Sequence, residues 1–263
     1  MCTMAQEQIK RIESQRKDSG FLLRIDGQSG SGKGFLGRYA YEWLNTLYPG
    51  KVVRRRGSLS IADENIGLSP EAGKIIDQLK AEGFTPQDNN PIAVFQQNHS
   101  RGARLLELLS DGSIAQAQTI SQDLAEGKIV IQDRSTASSR IVIDYLQFLL
   151  IRENSGEELS GENQQILEQL ENCRDKYNKI DTETAADMSI LLTANPEVVA
   201  QRRPDYPEFM AQAEQKALLG YANPNTNWIV VDNSIDGKIP QEFLEPVALC
   251  SQTYQERSNL PII

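Results

Sequence analysis

Histidine occurs once in the 263 residues, at His99, and cysteine three times, at Cys2, Cys173 and Cys250. A single imidazole argues against a zinc site and against Ser-His-Asp catalysis, both of which normally draw on histidine. The cysteines lie far apart, form no CxxC pair and suggest no disulfide framework, as suits a reducing compartment. Long apolar runs are missing too. The densest, over 141–151, is broken by Asp144 and Gln147 and falls short of the ~18 residues of a membrane span. The first 20 residues hold no apolar block of the kind a secretory signal needs. Basic residues are outnumbered, 27 to 36, for a net charge of −9. That argues against a broad nucleic-acid surface and leaves room for a local basic pocket. The absences together lead to the expectation of a cytoplasmic protein with neither a membrane nor a nucleic-acid partner. The remainder, 39% apolar and 24% charged, is ordinary for a globular chain.

Short apolar runs over 21–26, 51–55, 128–133, 188–194 and 228–232 alternate with longer amphipathic stretches. Several are apolar on successive residues, as in IVI, SILLT and WIVV, which suits parallel strands buried on both faces. Helices are expected over 33–47, 70–81, 91–109, 114–126, 136–152 and 240–250, with another opening at Asn195-Pro196. Ser69 followed by Pro70 reads as an N-cap with proline at the first helical position. Strand and helix in alternation predict an α/β fold, a three-layer sandwich with a five-stranded parallel sheet flanked by helices. The expected organisation is a polar arm over 1–18, one domain over 19–253 and a tail over 254–263. An acidic helical excursion over 153–180 interrupts the domain. Its first part, 153–171, has six glutamates and no lysine or arginine, and reads as a solvated acidic face.

The most specific signal is Gly27-Gln28-Ser29-Gly30-Ser31-Gly32-Lys33, the first seven positions of GxxxxGK[ST], placed between the strand FLLRID and a helix. Glycines there let successive N–H groups turn toward phosphate oxygens, and the helix adds the positive end of its dipole. Lys33 is expected to face solvent or phosphate and to reach the outer phosphates of a nucleotide. The pattern's final hydroxyl, a Mg²⁺ ligand, is missing: Gly34 and then Phe35 follow the lysine. Mg²⁺ would then rest on phosphates, waters and a carboxylate such as Asp133. The strand carrying the loop should be central, flanked by those ending at Asp133 and Ala194.

The segment DLAEGKIVIQDRSTASSR, with Asp133, Arg134, Ser138 and Ser139, resembles the thymidylate kinase pattern of a helix ending LAEGK, a strand, and Asp-Arg followed by Ser-Ser. MSILLTANPEVVAQRR resembles the strand–helix segment shared by thymidylate and cytidylate kinases, with Arg202 and Arg203 where an arginine-bearing lid follows. Asp-Arg-Ser is also similar to bacterial deoxynucleoside kinases. The resemblance implies a P-loop nucleoside monophosphate kinase that uses ATP and Mg²⁺. It implies Lys33, Asp133, Arg134 and Arg202 as catalytic groups, Asp133 as the metal anchor, and 27–35 as the ATP site. On the acceptor side it nominates Arg55 and Arg56 of the Arg54–Arg56 run, Phe95 and Arg101 of FQQNHSRGAR (with Arg104 the alternative), and Ser138 and Ser139. The acceptor is a nucleoside monophosphate or a nucleoside, and a homodimer is left open. A nucleotide-binding regulator without catalysis is the rival from another class, suggested by Gly34-Phe35.

Overall fold

The computed structural model describes residues 20–57, 59, 61, 67–154, 159–204, 208–222, 228–235 and 237–258. The expected arm, residues 205–207 of the expected lid and the last five residues lie outside them. In chain order the elements are β1 (Phe21–Gly27), α1 (Lys33–Leu47), β2 (Val52–Arg56), α2 (Pro70–Ala81), a 3-10 turn (Pro86–Asn89), α3 (Pro91–Gln97) and α4 (His99–Ala125). They continue with β3 (Ile129–Asp133), α5 (Ala137–Glu153), α6 (Gly161–Glu183), β4 (Met188–Thr193), α7 (Pro196–Arg202), α8 (Glu208–Tyr221), β5 (Trp228–Asp232) and α9 (Gln241–Ser258). The chain divides into two compact units. One takes residues up to 55, 120–135 and from 185 onward; the other takes 56–119 and 136–184.

The first unit carries the parallel sheet, in the order β2-β3-β1-β4-β5. Its three middle strands are buried at every residue, which is why their sequences are apolar without alternation. Leu23 and Ile25 pack with Leu36, Ala40 and Leu44 of α1 and with Phe243 and Val247 of α9. From the other face Leu22 and Val130 meet Ile120 and Leu124 at the end of α4. The strand bearing the phosphate loop is thus central, between those ending at Asp133 and Ala194, as expected. Ile25 stands beside Asp133 and Gly27 beside Leu192 in register, so three strand ends meet at the edge where α/β folds bind ligands.

The last helix runs through Ser258 instead of ending at 250. Its extra turns are anchored: buried Tyr254 donates from its hydroxyl to the Gly127 carbonyl at 2.7 Å, and Arg257 reaches Asp187 at 2.9 Å. Residues 254–258, expected in a tail, therefore belong to this helix. Among the described residues no helix is long and apolar enough to cross a membrane.

In the second unit α2 starts as the sequence indicates, with Ser69 Oγ accepting from the Ala72 N–H at 3.1 Å. The expected break near 110–113 is absent and one appears at Asn98 instead. Ser110 and Ser113 turn their hydroxyls back onto helix carbonyls at 2.7 and 2.8 Å, so α4 continues through them. Asn98 is extended, and its Oδ1 accepts from the Arg101 N–H at 2.9 Å, which starts α4 afresh. Asn98→Ala should cost about 1 kcal/mol, read as a lower urea midpoint with an unchanged slope. The acidic stretch runs into α6, which buries Ile166, Leu170, Cys173, Tyr177 and Ile180 at alternating spacings of four and three while Glu168 and Glu171 stay exposed.

Candidate functional site: a phosphate loop at the sheet edge

The next-to-last residue of β1 is Asp26, a buried carboxylate. It accepts from the Gly27 N–H at 2.7 Å, from the Ser135 N–H at 3.0 Å and, in a short contact, from the Ser135 hydroxyl. One side chain thus ties the start of the loop to the residues just past β3. Gly27 has φ 151°, and a Cβ there would lie 2.1 Å from the Leu192 carbonyl oxygen. Gly32 has φ 89°, and its Cβ would meet Asn233 Nδ2 at 2.4 Å. That amide donates to the Ser31 carbonyl at 2.8 Å, while Gln28 Nε2 donates to the Ala194 carbonyl at 2.8 Å. The ends of β4 and β5 therefore shape the loop, and both glycines answer a close approach of other groups.

α1 opens behind Gly32 with no side-chain cap and no acid in its first turn, so the positive end of this 15-residue helix is uncompensated by its own sequence. Lys33 Nζ folds back over the loop and donates to the carbonyls of Gly27 at 2.5 Å and Gln28 at 2.8 Å. The side chain is buried where solvent or phosphate was expected around it, and those carbonyls solvate the ammonium in place of water. Burial, then repulsion from Arg134, pulls its pKa from 10.5 down to about 8, against Glu214, Asp26 and Asp133, which pull it up.

Arg134 is the one non-glycine residue among those described with positive φ, 70°, and its N–H donates to the Ile25 carbonyl at 2.9 Å. Such a backbone costs roughly 1–3 kcal/mol and persists only where the surroundings enforce it. Arg202 Nη1 donates to the Gly30 carbonyl at 3.2 Å. On the loop's outer side the Ser29 N–H donates to Glu214 Oε2 at 2.8 Å. Lys33, Asp133, Arg134 and Arg202, named from sequence, thus gather around one loop.

The arginine run divides by strand alternation. Arg54 pairs with Asp133 in a short contact. Arg55 points elsewhere, to Asp123 at 2.7 Å, a carboxylate that Lys128 also holds at 2.8 Å. Burial pushes Asp123 up, but the two cations outweigh it and keep its pKa below the usual range. Arg56, Phe95, Arg101, Ser138 and Ser139 belong to the second unit. There Phe95 is buried in an apolar cluster and stacks on His99 with centroids 4.5 Å apart. Arg101 lies 4.2 Å over the Phe84 ring and donates to the Gly83 carbonyl at 2.9 Å. Arg104 pairs with Glu82 at 2.7 Å and Glu107 at 2.6 Å. Ser139 bonds the buried Tyr177 hydroxyl, whose pKa burial raises to about 12. Ser138 is half-buried. Sequence reading missed Asp26, Asn233 and Glu214. The first two carried a signal, as polar residues at the ends of apolar strands; Glu214 carried none.

The site fits phosphate. The Ser31 hydroxyl is buried without a hydrogen-bond partner and can donate to a phosphate oxygen, and an anion at the loop favours the charged form of the buried Lys33 ammonium. It does not fit a protein-held Mg²⁺: Gly34 offers no side-chain oxygen, Asp133 is engaged by Arg54, and no group of three or more metal-ligating side chains occurs among the described residues. Phosphate binding should depend on pH through Lys33. An anion favours the charged ammonium, so affinity stays flat below pH 8 and falls above it by up to about tenfold per unit. Fold stability runs the other way. Between about 8 and 10.5 the unfolded chain binds the extra proton, so the free protein gains stability as pH rises through that window. Calorimetric titration of ATP and thermal melts across pH 7–10 read the two opposed trends.

No family model matches the chain, and no curated protein does. Among solved structures, thymidylate kinase from Ehrlichia chaffeensis is similar over 88% of this chain and 98% of that one, at 14% identity and a TM-score of 0.47. At that identity no residue role passes from one chain to the other.

Proposed function

We propose that the protein is a nucleotide kinase that passes the γ-phosphoryl group of ATP to a nucleoside monophosphate. The observation that carries this reading is Lys33: a buried ammonium folded over the loop onto the Gly27 and Gln28 carbonyls, at the uncapped start of α1. A cation at an uncapped helix N-terminus is suited to hold a polyphosphate. ATP supplies the phosphoryl group and leaves as ADP. Lys33 and the first N–H groups of α1 hold phosphate oxygens, and Arg134 and Arg202 add positive charge where it develops during transfer. A monophosphate acceptor is favoured over a nucleoside by the Arg54–Asp133 pair. A nucleoside hydroxyl calls for a general base, and the carboxylate in that place is already engaged.

One contact favours a second reading, a nucleotide-binding regulator: Glu214 bonds the Ser29 N–H and places a carboxylate at the loop. Glu214→Gln should tighten ATP binding several-fold by removing that repulsion, measured by calorimetric titration. Incubation with ATP and a panel of nucleosides and monophosphates, scored for ADP, separates the readings. ADP formed with monophosphates alone supports the kinase. ATP binding with no acceptor-dependent ADP supports the regulator.

A further inference from the structure

We propose that the guanidinium of Arg54 serves as a built-in cation at the place where a phosphate-loop protein would hold a divalent metal, so that this loop binds nucleotide phosphates without a protein-held ion. The inference rests on the phosphate-binding reading above and concerns what charge completes that site.

A metal there would draw on two protein positions, a hydroxyl after the lysine and the carboxylate at the end of β3. Arg54 Nη2 meets both: it contacts Asp133 Oδ2 and lies 3.4 Å from the Gly34 carbonyl oxygen. The first position has no hydroxyl and the second is paired, and one nitrogen reaches both residues. A Cβ on Gly34 would lie 4.0 Å from Nη2, and a Cβ on Gly37 would lie 3.7 Å from both Nε and Nη2 and 3.9 Å from Cζ. These are ordinary van der Waals distances, so the guanidinium lies against the first two turns of α1 and a methyl group at either position would fit beside it.

The pair is also sheltered, with side-chain exposures of 16% for Arg54 and 10% for Asp133. A surface ion pair contributes little, and a sheltered one between two strands is expensive to desolvate. The proposal gives that expense a purpose. Arginine stays charged at all working pH values, and its fork carries five N–H donors, of which the two contacts above use only those on Nη2. Unlike Mg²⁺ it cannot dissociate, so phosphate affinity becomes independent of free divalent ion.

The test is calorimetric titration of ATP and ADP, in excess EDTA and in excess Mg²⁺, into the wild type, Arg54→Gln and Arg54→Lys. For the wild type the two buffers should give affinities within about threefold, well under the 1.4 kcal/mol that makes a tenfold change. Arg54→Gln should lose about tenfold or more in EDTA, the worth of a charge-assisted contact, and should recover part of it with Mg²⁺ because Asp133 is released. Arg54→Lys keeps a cation and should fall between. A wild-type affinity that drops tenfold or more in EDTA overturns the proposal, and so does folded Arg54→Gln binding as the wild type does in EDTA. If Arg54→Gln does not fold, the two-buffer comparison on the wild type and Arg54→Lys decides. Wild-type protein that binds neither nucleotide in either buffer defeats the phosphate reading itself, an outcome distinct from binding that requires Mg²⁺.

Discussion

Lys33→Ala should lower ATP affinity by about a hundredfold or more, the cost of truncating one partner of a buried charge pair, and leave the protein folded. Among the described residues the ammonium donates to the carbonyls of Gly27 and Gln28, and burial disfavours its charged form. Alanine removes that desolvation cost and favours the helix that begins there. The expected signature is a thermal midpoint at or above the wild type's with nucleotide binding lost, and the decline of affinity above pH 8 lost with it. A variant that binds ATP as the wild type does contradicts the phosphate-loop assignment. One that fails to fold instead assigns Lys33 a structural role.

The second large effect is on stability. Asp26→Ala removes one acceptor from three buried donors at once: the N–H groups of Gly27 and Ser135 and the Ser135 hydroxyl. Bonds to a charged acceptor are worth about 1.5–3 kcal/mol each, and unpaired buried donors add their own desolvation. A loss of about 4 kcal/mol is expected, with a fall in thermal midpoint of roughly 8–16 °C for a chain of this size. Ser135→Ala, which removes one donor and leaves the carboxylate two partners, should cost about 1 kcal/mol. Equal losses in the two variants would show that the carboxylate is not the hub linking β1 to the segment past β3. Asp26→Asn gives a second readout. The Asp26 charge helps hold the Lys33 pKa up, so its removal should move the pH break in ATP affinity below 8.

The parts of this architecture legible in the sequence are those written in consecutive residues. The order of the strands around β1 follows from apolar runs ending in Asp26, Asp133 and Ala194, and the start of α2 follows from Ser69-Pro70. The loop over 27–33 is a local pattern, and its glycines stand where the ends of β4 and β5 come close. Contacts decided by which face a residue takes were not legible. Arg54, Arg55 and Arg56 look alike in sequence, yet alternation sends Arg54 to Asp133 and Arg55 to Asp123, and only the paired strand fixes which goes where. Phe95 and Arg101 suggested a ligand helix, but an aromatic ring on an amphipathic helix is equally a core residue, and stacking on His99 within an apolar cluster is what it does. The break at Asn98 rests on one side-chain contact, its Oδ1 accepting from the Arg101 N–H, while Gly112, within the expected break at 110–113, instead admits Leu59 to a continuous helix, where a Cβ would come within 2.3 Å of Leu59 Cδ2.

Amide hydrogen exchange over residues 27–36, with and without nucleotide, bears most directly on the central claim that this loop is a phosphate cradle. The first turn of α1 has no side-chain cap, so its N–H groups should exchange readily in the free protein. Saturating ATP or ADP should slow exchange there, adenosine at the same concentration should not, and Lys33→Ala should abolish the difference. Unchanged exchange over 27–36 in saturating ATP, or equal protection by adenosine, would contradict it.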